Sequence, residues 1–371
     1  MRFVLSCVVM STVLFVIPAL SMGQQDKTEN AFVKSALKRH DKNSDGSITA
    51  DEAGGQLKKN FNRVDSDDNG EIGKAELVAL EKVLKRQNAG RENRKKASIP
   101  DTVELKTDVA YREGNSKWKV DLVLPKSKSD KPRAAIIFIH GGGWSNGDKA
   151  GGVWRSLPIS YAEEGYVCMS VNYRLLSDKK SNLSDCIADC KCAVRWLRAN
   201  ASEYNVDPDR IGAYGGSAGA HLVSMLGLTT KADGMEGDGP HQEHSSQVQA
   251  VCCAAPPTDF LNWSGRQKQQ GAKALERLFS GSEDKMAWAK KASPITHVGS
   301  DSPPFLIIHG TADRTVPVQQ ADDLNEALKN AKAKDVTYLR FEGAGHGVFG
   351  QRSKKTYPAM KEFFKRTIGE R

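Results

Sequence analysis

Short continuous runs of apolar residues alternate with segments of helical periodicity along residues 101–371. The strand-like runs are Val103–Tyr111, Trp118–Leu124, Ala134–His140, Tyr166–Asn172, Arg210–Tyr214, Val248–Ala254, Pro304–His309 and Val336–Phe341. The helical patterns cover Trp154–Glu164, Ser184–Glu203, Ala218–Leu228, Val318–Ala331 and Lys355–Arg366. This alternation predicts an α/β domain, a mostly parallel sheet sandwiched by helices. The first two runs predict an antiparallel hairpin that opens the sheet.

A compact glycine motif follows the Arg210–Tyr214 run. Residues 215–219 read Gly-Gly-Ser-Ala-Gly and lead directly into an apolar helical pattern. A G-x-S-x-G sequence between a strand and a helix is typical of a nucleophile elbow, in which small neighbours permit a strained serine. The alternative is an ordinary Gly/Ser-rich turn, and the strand–turn–helix context favours the elbow. Ser217 is therefore the candidate nucleophile.

A second glycine-rich turn follows the apolar run that ends at His140. Residues 140–144 read His-Gly-Gly-Gly-Trp. Consecutive glycines expose backbone N–H groups, which an acyl-transfer enzyme needs in order to hold the oxyanion of its intermediate. We expect the N–H groups of Gly142, Gly143 and Ala218 to form that oxyanion hole. A phosphate-binding turn is the alternative, but neither a P-loop nor a G-x-G-x-x-G helix entry is present.

A serine nucleophile needs a general base, and the base needs an orienting carboxylate. Asp313 follows the buried Pro304–His309 run, and His346 lies in a glycine-rich loop after Val336–Phe341. The order serine, acid, histidine is that of α/β-hydrolases. Asp259 is a weaker alternative acid. The other histidines that follow apolar runs or lie on helices, His140, His221 and His309, are expected to brace loops or fill the core.

Together these motifs make residues 101–371 resemble the α/β-hydrolase fold, in its hormone-sensitive-lipase-like and acetyl-esterase-like branch. The resemblance implies Ser217 as nucleophile, His346 as general base and then acid, and Asp313 as its partner. It also implies carboxylic ester substrates with short acyl groups. Gly216 stands where many lipase-like members have Asp, and no apolar lid helix precedes the core. We expect an open entrance to the active site, shaped by 229–247 and by an insertion around 271–279. Such an entrance suggests that the substrate is an acetyl-like ester on a polysaccharide.

Two acidic loops precede the catalytic region. Residues 41–52 and 65–76 each place oxygen-bearing side chains at alternate positions, with glycine at position 6 and glutamate at position 12. This pattern resembles an EF-hand pair. The expected calcium ligands are Asp41, Asn43, Asp45, Ser47, Thr49 and Glu52 in the first loop and Asp65, Asp67, Asn69, the Glu71 carbonyl and Glu76 in the second. Since Met is absent from 24–81 and large apolar residues are few, we expect a structural module with two calcium ions that catalysis does not need.

The first residues are typical of a secretory signal peptide. Arg2 precedes an apolar run from Phe3 to Leu20, and small residues follow at Ser21 and Gly23. The predicted organisation is a signal peptide at 1–23, an EF-hand pair at 24–86, a basic linker at 87–100 and a catalytic domain at 101–371. We expect a secreted or periplasmic protein without a stable membrane span after cleavage. A membrane anchor is the alternative.

The formal net charge of the 371-residue chain is +9, and most of the excess lies in residues 82–100. A nucleic-acid-binding protein would show a basic face with aromatics or a recognition motif, and neither is evident. The leading interpretation is therefore a secreted serine carboxylesterase. A serine peptidase of the prolyl-oligopeptidase type is one alternative. A calcium-dependent binding protein on an inert hydrolase fold is the other.

Overall fold

The computed structural model describes residues 30–67, 69–82, 84, 99–178, 181–263, 276, 278–279 and 284–369. By its contacts the chain divides into two compact units, residues 1–97 and residues 98–371. The predicted signal peptide, nearly all of the predicted linker and most of the 271–279 insertion lie outside the described residues. In the described part, no helix combines the length and the apolarity that crossing a membrane requires.

The first unit has short helices around a two-stranded ribbon. Its elements are α1 (Ala31–His40), β1 (Ile48–Thr49), α2 (Gly55–Lys59), α3 (Phe61–Val64) and β2 (Glu71–Ile72), and residues 74–82 are helical as well. β1 and β2 are antiparallel with Ile48 opposite Ile72, and both isoleucines are fully buried. A cavity of about 590 Å³ lies among these helices, lined in part by Phe32, Leu57 and Leu80. The sparse apolar pattern of the sequence did not predict that cavity.

The second unit is built on one eight-stranded sheet. Its strands are β3 (Val103–Ala110), β4 (Lys119–Pro125), β5 (Arg133–Ile139), β6 (Val167–Val171), β7 (Val206–Gly216), β8 (Ala250–Ala254), β9 (Phe305–Gly310) and β10 (Val336–Phe341). The order is β10-β9-β8-β7-β5-β6-β4-β3. Strands β5 to β10 pair in parallel, whereas β3 and β4 form the antiparallel hairpin that the sequence predicted.

Helices cover both faces of this sheet. They are α4 (Val153–Glu163), α5 (Leu183–Ala199), α6 (Ala218–Leu228), α7 (Lys285–Lys291), α8 (Gln319–Asn330), α9 (Val348–Gln351) and α10 (Ser353–Ile368). Successive side chains of a strand point to opposite faces. On β5, Ile137 and Ile139 therefore pack with α5, α6 and α8, while Ile136 and Phe138 pack with α4 and α10. The predicted helix-sandwiched parallel sheet is confirmed.

The polar stretch 229–247 packs against α5, and its expected role in shaping the entrance to the active site stays a prediction. α6 runs from the carboxyl edge of the sheet, where Ser217 lies, to the opposite edge, where this stretch begins. Buried cations on α5 bind the stretch. Lys191 and Arg195 both form ion pairs with Glu236, and Arg198 donates to the carbonyl oxygen of Gln247 at 2.6 Å. The stretch is therefore attached to the helical layer, and its Asp238 also pairs with Arg112 at 2.8 Å.

The cysteines of the second unit are core residues. Cys168, Cys252 and Cys253 are buried on β6 and β8. Cys186, Cys190 and Cys192 are buried on α5. All six of these described cysteines are free thiols.

Candidate functional site

Ser217 lies at the junction of β7 and α6 with φ +56° and ψ −122°. A residue with a side chain adopts such a conformation only where its surroundings enforce it. The two glycines of the elbow supply that constraint. A Cβ atom at Gly215 would lie 2.2 Å from the Gly219 carbonyl oxygen, and one at Gly219 would lie 2.1 Å from the Ile139 carbonyl oxygen. Strand, turn and helix can therefore approach this closely only with glycine at both positions.

His346 connects the nucleophile to the acid. Its Nε2 lies 2.9 Å from Ser217 Oγ, and its Nδ1 lies 2.8 Å from Asp313 Oδ2. A carboxylate only accepts hydrogen bonds, so the imidazole hydrogen is on Nδ1 and the Nε2 lone pair faces the serine hydroxyl. The Asp313 side chain is fully buried, whereas that of His346 is 31% exposed. The structure thus brings the three predicted residues into one hydrogen-bonded chain.

The surroundings of Asp313 keep its carboxyl group ionised. Burial alone would raise the pKa of Asp313, but hydrogen bonds from His309 and His346 hold it well below its ordinary value. Oδ1 also accepts the backbone N–H groups of Thr315 at 2.8 Å and Val316 at 3.0 Å. Asp313 is therefore negative at neutral pH and can stabilise positive charge that develops on His346.

The predicted oxyanion loop lies directly against the elbow. A Cβ atom at Gly141 would lie 2.5 Å from the Gly216 carbonyl oxygen. Gly142 and Gly143 follow with φ of +119° and +60°. Ala218 is the first residue of α6, so its N–H has no carbonyl partner one turn earlier in the helix. The helix dipole adds partial positive charge at this end, which favours an anion there.

A buried lysine holds the later part of the oxyanion loop. Lys149 Nζ lies 2.8 Å from Asp121 on β4 and 2.7 Å from Asp108 on β3, and both the Lys149 and the Asp121 side chains are 5% exposed. The Lys149 backbone N–H donates to Asn172 Oδ1 at 2.7 Å. The antiparallel hairpin therefore anchors the loop. No local pattern indicated this role, because the partners are far apart in the chain.

Two of the remaining histidines act as braces, as expected. His140 stacks on Tyr173 with ring centroids 4.4 Å apart, and burial lowers its pKa. His221 Nε2 contacts the Ala292 carbonyl oxygen at 2.8 Å, and its Nδ1 accepts from Trp144 Nε1 at 3.3 Å. Each imidazole fixes the geometry of a segment next to the elbow.

His309 has a position that sequence reasoning did not predict, because it touches the triad acid directly at 3.2 Å. The spacing of four residues between His309 and Asp313 was the available signal. The alternative acid Asp259 instead accepts the Leu261 backbone N–H at 2.8 Å. His346 donates to Asp313, which disfavours Asp259 in that role.

The residue before the nucleophile faces an aromatic ring. The nearest atoms to a Cβ at Gly216 would be ring carbons of Trp154, at 3.5 and 3.7 Å. Trp154 in turn stacks on Tyr214 of β7, with centroids 5.7 Å apart. The half-buried ring of Trp154 therefore borders Gly216 on its open side.

The acidic loops of the first unit have the donors that calcium requires. Carboxylate oxygens of Asp65, Asp67 and Glu76 lie within 4.8 Å of one another, and Asp65 is buried. In the first loop, Asp41 accepts the N–H groups of Ser44 and Gly46. In that loop Glu52 accepts those of Lys42, Asn43 and Thr49. Convergent hard oxygen donors on tight glycine turns fit a calcium ion.

A family model described as BD-FAE matches residues 120–328, which is more than half of the chain. The chain belongs to the BD-FAE family. This BD-FAE member is also 33% identical to the esterase LipC of Mycobacterium tuberculosis over 230 residues. That alignment covers 62% of this chain and 56% of LipC, so the chain spans little more than half the length of that relative.

Solved esterase structures have the same fold. A truncated carbohydrate esterase from gut microbiota superposes with a TM-score of 0.64 at 28% identity, covering 73% of this BD-FAE member and 98% of that chain. Thermogutta terrifontis esterase 2, phosphonylated by sarin, superposes with a TM-score of 0.62 at 30% identity, covering 74% and 98%. The relatives are esterases, which bears out the α/β-hydrolase part of the predicted fold and the predicted enzyme class, a carboxylic ester hydrolase.

Proposed function

We propose that this BD-FAE member is a secreted serine carboxylesterase that removes short acyl groups through a Ser217–His346–Asp313 triad. The observation that carries the proposal is the chain of contacts from Ser217 Oγ through His346 to Asp313, at 2.9 and 2.8 Å. The esterase relatives support the reaction class.

In the proposed mechanism, Ser217 Oγ attacks the ester carbonyl while His346 Nε2 takes the hydroxyl proton. The N–H groups of Gly142, Gly143 and Ala218 hold the resulting oxyanion. The intermediate collapses when His346 returns that proton to the leaving alcohol, and an acyl-serine remains. Water then attacks the acyl-enzyme with His346 again as base, which releases the acid and restores Ser217.

The proposed substrate is an acetyl-like ester carried by a polysaccharide. Two observations support it. One is the structural likeness to a carbohydrate esterase. The other is the sequence before the hydrolase core, which contains acidic loops and a basic segment where a lipase would have an apolar lid. A bulky polar carrier requires an open approach to Ser217, and a short acyl group requires only a small pocket.

The decisive experiment compares hydrolysis of p-nitrophenyl acetate, butyrate and decanoate by wild type, Ser217→Ala and Ser224→Ala. Ser224 is a matched control because it lies on the same helix with its hydroxyl bonded to the Ala220 carbonyl oxygen at 2.8 Å. We expect a preference for acetate and a loss of at least about 10³-fold in kcat for Ser217→Ala alone. Faster cleavage of a prolyl-peptide substrate would favour the peptidase alternative. Absence of turnover together with absence of fluorophosphonate labelling would favour the binding-protein alternative.

Residues Asp41 to Glu76 are proposed to be a structural EF-hand pair that holds two calcium ions. The donor set and the glycine turns support this assignment, and the ion would supply charge neutralisation for the clustered carboxylates. Calorimetric titration of the whole chain with calcium should give two sites. Glu52→Gln and Glu76→Gln should each remove one of them. Esterase turnover is expected to survive chelation, and its loss in a folded protein would contradict a purely structural role.

The proposed location is outside the cytoplasm, either secreted or periplasmic. The support is the sequence of residues 1–23, with its basic start, apolar run and small residues. Expression of the full chain in a bacterial host, followed by N-terminal sequencing of the exported protein, tests it. We expect a new N-terminus near Ser21 or Gly23. An uncleaved, membrane-associated product would favour the anchor alternative.

A further inference from the structure

A second histidine occupies the buried side of the triad acid. His309 lies on β9, four residues before Asp313, and is fully buried. Its Nε2 is 3.2 Å from Asp313 Oδ2 and 3.1 Å from the Val316 carbonyl oxygen. Both oxygens accept hydrogen bonds, so the arrangement assigns the imidazole hydrogen to Nε2, which shares it between them.

The other ring nitrogen of His309 shows that packing alone does not explain this side chain. Nδ1 is buried, and within the described part of the chain it has no hydrogen-bond partner. A buried polar atom without a partner costs free energy that an apolar side chain of similar size would not. The polar contacts that can offset this cost are those of Nε2 with Asp313 and Val316.

The contact divides one carboxylate oxygen between two imidazoles. Asp313 Oδ2 accepts from His346 Nδ1 at 2.8 Å on the exposed side and from His309 Nε2 on the buried side. Arg340 on the neighbouring strand β10 is in register with His309, but its guanidinium donates to Asp322 on α8 and is 46% exposed. On β8, the apolar Ala254 pairs with Ile308. Asp313 Oδ2 is thus shared by two histidines, one on each side.

We infer that His309 is a positioning residue of the triad: its Nε2–H fixes the Asp313 carboxylate and limits how strongly Oδ2 attracts the proton on His346. This inference rests on the proposed function. His309 touches neither the substrate nor Ser217, and it acts through Asp313. Without it, Oδ2 would lose one hydrogen-bond donor, and the less neutralised carboxylate would hold the His346 proton more tightly. The neutral base would then appear only at higher pH.

The test is the pH dependence of kcat/KM for p-nitrophenyl acetate in wild type, His309→Leu and His309→Gln. Leucine removes the donor, whereas the glutamine amide can extend to the position of Nε2. For His309→Leu we expect the acid limb to move upward by about 0.5 to 1 pH unit and the plateau kcat/KM to fall about 10-fold. We expect His309→Gln to restore the wild-type limb.

Two results would overturn the inference: an unchanged acid limb in folded His309→Leu, or equal shifts in the leucine and glutamine variants. If thermal melting shows that His309→Leu is unfolded, His309→Asn replaces it, because that amide is too short to reach Oδ2. Ser217→Ala is measured in parallel. Wild-type turnover in Ser217→Ala overturns the proposed function itself. If turnover depends on Ser217 but the His309 variants have the wild-type pH profile, the proposed function stands and only this inference is overturned.

Discussion

Substitution of Gly219 by alanine tests whether the elbow depends on backbone contact between α6 and β5. The added Cβ atom would lie 2.1 Å from the Ile139 carbonyl oxygen and 2.8 Å from that of His140. Nonbonded carbon and oxygen atoms prefer separations of roughly 3.5 Å, and even a tight contact needs about 3.1 Å, so the helix and the strand end would have to move apart by at least about 1 Å. Overpacking of this kind costs about 1 to 3 kcal/mol. We expect the upper end of that range because both obstacles are backbone.

The measurement is thermal melting together with ester hydrolysis, with Gly216→Ala as the matched control. A loss of about 3 kcal/mol lowers the Tm of a domain this size by roughly 6 to 12 °C. Because residues 140–143 follow Ile139 directly, a displacement of about 1 Å should also lower kcat/KM about 100-fold. At Gly216, the added Cβ would meet Trp154 at an ordinary 3.5 Å. Equal melting temperatures and equal rates for the two variants would refute the steric argument.

Three further predictions concern buried titratable side chains. Asp313→Asn should lower kcat by about 10³- to 10⁴-fold while the fold survives, which circular dichroism and turnover together check. Lys149→Met should lower the free energy of unfolding by about 3 to 5 kcal/mol, because it leaves the buried Asp121 carboxylate without its counter-ion. The control is Lys106→Met, which removes an exposed ion pair and should change the free energy of unfolding by less than about 1 kcal/mol. Denaturant unfolding of both variants is the measurement. Burial lowers the pKa of His221 from 6.5 to about 4. The unfolded chain therefore binds this proton first, and stability should fall by about 3 kcal/mol as the pH drops from about 6.5 to about 4. His221→Gln should flatten that acid slope, and an unchanged slope would contradict the assignment.

The elements and the triad could be predicted because their determinants are local. Eight strand-like runs became the eight strands of the sheet. The buried strands such as β5 and β8 were the clearest, because a strand buried on both faces needs continuous apolar residues. The elbow was predictable because a strained serine between a strand and a helix requires glycine on either side, and the sequence shows both. Asp313 and His346 followed from the rule that active-site loops lie at the carboxyl ends of parallel strands.

Tertiary structure decided what depends on contacts between distant segments. The role of Lys149 arises because the hairpin β3–β4 lies beside the oxyanion loop, and the attachment of 229–247 arises because α5 presents three buried cations to it. No spacing in the sequence encodes such contacts. His309 lies between these two cases. The sequence shows that His309 is four residues from Asp313, but only the tertiary structure shows that its ring points to the carboxylate. The sequence by itself determined the elements, their chemistry and the order of the catalytic groups. The tertiary structure decided which buried charged groups form pairs, because burial and electrostatic pairing depend on how the whole chain packs.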